Sequence, residues 1–238
     1  IENLSVVSNQ NIGSVVGSAA YDVSGFTGLT SAKFVSTGTT NGSYVKVAGT
    51  TGVDLTVSAN DAKVAGGNVV SVTNAGAGAT SVSGAALTSV SVKGGGAVTV
   101  DNTSAAGTSG AGSTLTAVTL DGAVGTVSGK GVATLNLSNL KAAADVAVTN
   151  STTDHGITVV ANAVGYDASG SAVVVSVSDA VAKTITVTAI SSSNLSLAGV
   201  TSAKAGASSV STATALRSVV INGAANVKLD LNGAASNT

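Results

Sequence analysis

Aliphatic residues recur at every second position through most of the chain. Val45 and Val47 alternate with Tyr44, Lys46 and Ala48, and Leu55 and Val57 with Asp54, Thr56 and Ser58. The same rhythm runs through Val90 and Val92, Val98 and Val100, Val118 and Leu120, Leu135 and Leu137, and Val146 and Val148. It continues through Val173, Val175 and Val177, then Ile185 and Val187, Leu195 and Leu197, and Val227, Leu229 and Leu231. A period of two sends successive side chains to opposite faces of a pleated strand. Nearly every charge in these segments falls in the polar phase, so each predicted strand has one buried and one wet face.

Turn signals separate the strands: the Asn-Gly pairs at Asn41, Asn222 and Asn232, and glycine clusters at 66–67, 76–78 and 94–96. Glycine and asparagine reach positive φ at little steric cost. Residues 141–144 and 203–215 are alanine-rich and allow a short helix or a loop, without a 3.6-residue stripe. A degenerate repeat is also present: residues 87–94 read LTSVSVKG, 115–122 LTAVTLDG and 216–223 LRSVVING. Each copy reads as a strand, a glycine corner and a second valine-rich strand. The spacing between copies is not constant.

Two all-β architectures accommodate this pattern over a single elongated region, 1–238. In a parallel β-solenoid, coils of roughly 20 residues stack at about 4.8 Å, giving about 12 coils over the chain. In an antiparallel β-sandwich the same strands pair through hairpins. Composition favours the solenoid. The chain has 238 residues with no Pro, Cys, Met or Trp, only 2% aromatics, and 44% hydrophobic residues. Absent proline suits uninterrupted ladders, in which every position donates its N–H. Val, Ile, Leu and Ala fill a narrow coil interior, whereas a sandwich core wants larger rings.

Charge and composition also exclude function classes. Charged residues are 9% of the chain and the net charge is −1, so the basic stripe that nucleic-acid binding requires is missing. Without cysteine there is no disulfide framework, thiolate metal site or cysteine nucleophile, and one histidine cannot build a His-based zinc cluster. No apolar run approaches the roughly 18 residues of a transmembrane helix. The first residue is Ile1, which reads as a processed chain or an excerpt of a longer protein, and absent cysteine suits an exported one.

Candidate chemistry is sparse, and no catalytic residue is assigned. His155, between Asp154 and Gly156, reads as a turn before a strand starting at Ile157 rather than as the base of a triad, which needs a carboxylate on one ring nitrogen and a serine on the other. Glu2 and ten scattered Asp lack the aromatic platforms of a polysaccharide-cleaving cleft. Gly129-Lys130 lacks the hydroxyl residue and glycine spacing of a phosphate loop. Calcium is the one cofactor the loops suggest, at Asn60-Asp61, Asp101-Asn102 and Asp167 between Gly165 and Gly170, where carboxylate and carbonyl oxygens fall in turns. Each of these also reads as a capped turn without metal. Thr184, Thr186 and Thr188 form one rank of an ice-binding face, without an evident regular repeat of it.

The opening residues 1–7 (IENLSVV), the Gly28–Ser31 turn into a strand and the three LTSVSVKG-like copies resemble the β-strand repeat regions of bacterial surface-layer and RTX-type adhesin proteins. The resemblance implies secretion to the cell surface, self-assembly of identical subunits into sheets or filaments, and calcium-dependent ordering. The chain lacks that family's calcium-binding nonapeptide. The expected function is a structural, self-assembling surface protein, with a cell-surface polysaccharide as a further partner. The alternative is a binding module, an adhesin stalk or phage fibre shaft.

Overall fold

A computed structural model describes residues 1–153, 155–173, 175–179, 181–196, 218–223 and 227–230. The described residues are all-β. In chain order the strands are β1 (Asn3–Ser8), β2 (Tyr21–Asp22), β3 (Ser31–Ser36), β4 (Ser43–Lys46), β5 (Gly52–Val57), β6 (Ala62–Ala65), β7 (Val69–Asn74), β8 (Thr80–Gly84), β9 (Ser89–Gly94) and β10 (Ala97–Asn102). They continue as β11 (Ala117–Asp121), β12 (Val124–Ser128), β13 (Thr134–Ser138), β14 (Ala144–Thr149), β15 (His155–Asn162), β16 (Val175–Asp179), β17 (Ala182–Ala189), β18 (Ser193–Ser196), β19 (Ser218–Asn222) and β20 (Val227–Asp230).

Odd-numbered strands form one ten-stranded sheet and even-numbered strands another, each in strict chain order. Every pairing within both sheets is parallel. The chain therefore visits one sheet, turns a corner, visits the other and returns one rung higher: a parallel β-solenoid with two strands per coil. Parallel ladders rule out the hairpin-connected sandwich. The expectation of about 12 coils is also corrected: the described residues form ten rungs of uneven length. Val53 stacks on Val70, a coil of fewer than twenty residues, whereas Thr184 stacks on Ser218, a coil of more than thirty. Corners absorb the difference. Parallel strands need only matching register, and loop length enters loop-closure cost slowly. Residues 141–144 are no helix, since Ala144 begins β14; residues 203–215 lie outside the described residues. Among the described residues no helix is long and apolar enough to cross a membrane.

The interior is built of columns, one residue per rung. In the odd-strand sheet one column runs Ala32, Val53, Val70, Val90, Val118, Leu135, Val159, Val187, and a second runs Phe34, Leu55, Val72, Val92, Leu120, Leu137, Ala161, Ala189. All of these are buried. The first two repeat copies stack directly, Val90 on Val118 and Val92 on Leu120, with Leu87 and Leu115 buried at the preceding corners. Burying each valine, leucine or phenylalanine of these columns contributes about 1.5–3 kcal/mol, which explains how a chain nearly without aromatics sustains a core.

Corners depend on backbone shapes that other residues resist. Gly66 has φ +90° and a Cβ there would run into the carbonyl oxygen of Val47. Buried asparagines satisfy corner backbone. Asn74 Nδ2 donates to the carbonyls of Asn60 and Gly78. Asn102 Nδ2 donates to Gly84 O while its Oδ1 accepts from Leu115 N.

Candidate functional site

Three reactive side chains come together at one corner. Alternation in β16 puts Val175, Val177 and Asp179 in the same inward phase, and alternation in β15 does so for His155, Ile157 and Val159. Asp179 is 1% exposed. It occupies a rung of a column otherwise made of valine: Val45, Val64, Val82, Val100, Val127 and Val148, then Asp179. A buried carboxylate must find partners. Its Oδ2 lies 2.9 Å from His155 Nε2, and its Oδ1 accepts from Ser151 Oγ at 2.8 Å and from Val181 N at 3.2 Å.

The geometry is that of a clasp rather than of a nucleophile. In a triad the serine hydroxyl faces a ring nitrogen; here Ser151 donates to the carboxylate, and His155 Nδ1 is engaged by the carbonyl oxygen of Thr152. Both ring nitrogens thus face oxygen acceptors, leaving neither free to take a proton from a hydroxyl. The sequence reading of His155 is corrected in one respect: it is the first residue of β15, not part of a turn before Ile157. Asp154 lies outside the described residues. In the sequence Asp179 is one of the ten scattered aspartates, and only the period-two phase that places Val175 and Val177 inward marks it.

The three loops considered for calcium use their carboxylates to staple turns. Asp61 Oδ1 accepts from Ala79 N at 2.7 Å, and Asp101 Oδ1 from Gly110 N at 2.7 Å. Asp167 Oδ1 accepts from Ser169 N, Ser171 N and Ser169 Oγ. These donors, the Ser169 hydroxyl foremost, hold the Asp167 carboxyl below its ordinary value. Among the described residues, no group of three or more His, Cys, Asp or Glu side chains stands close enough to hold a metal ion.

The wet faces are broad and neutral on balance. Lys33 faces Asp54 at 3.6 Å, Lys93 faces Asp121 at 3.8 Å, and Lys46 faces Asp22 at 2.8 Å. Each pair joins adjacent rungs, a lysine on one and an aspartate on the next. The Lys46 ammonium, with help from Ser24, holds the Asp22 carboxyl at about 2, and Asp22 in turn raises the Lys46 pKa. Threonine does stack, as Thr134, Thr158 and Thr186, but Ala117 and Val220 end that rank. Val160 lies beneath Thr188 and Gly156 beneath Thr184.

No family model matches this chain, nor does any curated protein or solved structure.

Proposed function

We propose that this chain is a structural, self-assembling protein of the bacterial cell surface, a subunit of a surface layer, sheath or filament, and that it carries out no catalysis. The observation that carries the reading is the pair of ladder faces covered by Ser, Thr and Asn, on which Lys33, Lys46 and Lys93 are matched to aspartates on neighbouring rungs. Copies of such a surface approach without long-range repulsion, since the net charge is only −1. Hydroxyl and amide groups then offer short-range hydrogen bonds across a flat contact. The clasp at Asp179 supports the non-catalytic part of the reading, because its groups are spent on one another. Surface location and self-assembly are also what the resemblance to surface-layer repeats implies.

Sedimentation velocity over a wide concentration range, with calcium and with chelator, tests the proposal. Self-assembly gives mass that rises with concentration toward large particles. A monomer at every concentration, in both conditions, overturns it. A fixed trimer selects the fibre-shaft alternative instead.

A further inference from the structure

We propose that the first rung is a dimerisation edge: β1 pairs antiparallel with β1 of a second copy, about a two-fold axis at Ser5, and joins two solenoids end to end.

The two sheet edges at this end of the stack differ. In the even-strand sheet the edge is blunted: β2 is only 2 residues long, and one of them is Asp22, ion-paired with Lys46. Short strands and charges are the means by which sheets avoid pairing with other chains. In the odd-strand sheet β1 is 6 residues long, NLSVVS, with no charge, no proline and unbroken register on β3. The core beneath it is open as well. Leu4 and Val6 stack on Ala32 and Phe34, and Tyr21 stacks on Val45. Ala32, Phe34 and Val45 are buried, whereas Leu4 and Val6 are half-buried and Tyr21 is 41% exposed. A stack of coils needs an end cap with a polar outer face. This end presents apolar side chains and a bare strand edge instead.

Backbone geometry selects the occupant. Glu2 O accepts from Ser31 N, and Ser8 O from Thr37 N. The peptide groups of the even-numbered residues of β1 therefore face β3. Successive residues of a strand turn theirs to opposite sides, so Asn3, Ser5 and Val7 direct N–H and C=O away from the sheet. Lay a second β1 antiparallel along this edge, with Ser5 opposite Ser5 of the second copy. Asn3 then faces Val7 of the second copy, and Val7 faces its Asn3. In each such pair the two residues exchange both hydrogen bonds, so every outward group of β1 is satisfied on both copies. The same register sets Leu4 opposite Val6 on the inner face, and each copy continues the other's core. It also sets Glu2 opposite Ser8, so no like charges meet across the pair. Moving the copies by two residues either way leaves Asn3 or Val7 opposite a residue outside the strand. An edge that satisfies itself about a two-fold axis is an isologous interface, closed at two copies. It is separate from the face contacts proposed above and leaves both faces free.

The chain contains no cysteine, so Ser5→Cys reports the contact directly. Across a hydrogen-bonded antiparallel pair the Cα atoms lie about 5.5 Å apart, within disulfide reach. Oxidation of that full-length variant should form covalent dimer about tenfold or more faster than it does for Thr119→Cys on the wet face. Sedimentation velocity of the parent chain should show monomer and dimer in concentration-dependent balance. Ser5→Lys sets two lysines opposite each other, and Ser5→Pro removes an outward N–H that β3 does not use. Each should weaken the dimer about tenfold or more while far-UV circular dichroism stays that of the parent. Mixing Ser5→Lys with Ser5→Asp should restore the dimer, as only the Ser5-on-Ser5 register requires. A parent chain that is monomeric throughout, a dimer that Ser5→Lys and Ser5→Pro leave intact, or a mixture that stays monomeric overturns the proposal. Large particles that Ser5→Lys does not alter also overturn it while leaving face assembly standing. A dimer that Ser5→Lys dissolves, with no larger species at any concentration, supports it and removes face assembly.

Discussion

Replacing Asp179 by alanine and by valine separates the energy of the clasp from that of the column it interrupts. Alanine removes the carboxylate from His155 and Ser151 and leaves a gap in the interior. A hydrogen bond to a charged group contributes about 1.5–3 kcal/mol. Because His155 is only 16% exposed on its side chain and Asp179 1%, solvent replaces little of what is lost. Adding the unfilled space, Asp179→Ala should destabilise by about 2–4 kcal/mol. Valine also removes the carboxylate, but it fills the slot as Val148 and Val127 fill theirs one and two rungs away. It also relieves the cost of burying a charge. Asp179→Val should therefore cost no more than about 1.5 kcal/mol. Urea unfolding followed by far-UV circular dichroism measures both, read as a shift in midpoint at unchanged slope. If valine proves as damaging as alanine, the site does not belong to the aliphatic column, and the reasoning fails.

Three further outcomes are expected. Leu120→Ala, at a fully buried position between Val92 and Leu137, should cost about 2–5 kcal/mol, whereas Thr119→Ala on the wet face should stay within about 0.5 kcal/mol; equal effects in urea melts would contradict the assignment of faces. Gly66→Ala must combine φ +90° with a collision against Val47 O and should destabilise by about 1–3 kcal/mol or more, and a neutral result would contradict the corner geometry. Asp22 has a folded-state pKa of about 2 against an ordinary 3.8. Its stabilisation is complete above the ordinary value and is lost as pH falls toward 2. The melting-temperature gap between the parent chain and Asp22→Asn should therefore close between about pH 4 and pH 2, and a gap that persists at pH 2 would refute the pairing.

What was legible in the sequence follows from which residues face inward. Strands whose apolar interior positions are all valine or leucine, such as β5, β9, β11 and β13, announce themselves by alternation. The even-numbered strands β6, β8 and β12 are faint because Ala62, Thr80 and Gly125 stand at or beside their inward positions. Parallel pairing was not dictated by the alternation itself, since period two looks the same in a hairpin and in a stacked coil. It was favoured instead by absent proline and scarce aromatics. The described residues hold ten rungs rather than about 12 because excursions such as residues 103–116 and 163–173 lengthen coils without adding strands. Within the candidate site, His155 looked like a turn residue because Asp-His-Gly has turn composition. Its partner was hidden because Asp179 lies 24 residues away in sequence and one coil along; only the inward phase of β16 marked it. The alanine-rich stretch 203–215 and Leu197 and Leu231 fall outside the described residues.

The most direct test of the account is whether distance grows with rung number rather than with chain length. Lys63, Ala147 and Ser178 occupy one outward column of the even-strand sheet, through Ser81, Thr99 and Thr126. Spin labels placed on Lys63 with Ala147, and on Lys63 with Ser178, are separated by four and five rungs. Pulsed electron resonance should then give backbone separations of about 19 Å and about 24 Å, one strand spacing apart. Distances that do not increase by one spacing per rung, or that place either pair on neighbouring strands, would contradict a parallel two-ladder stack.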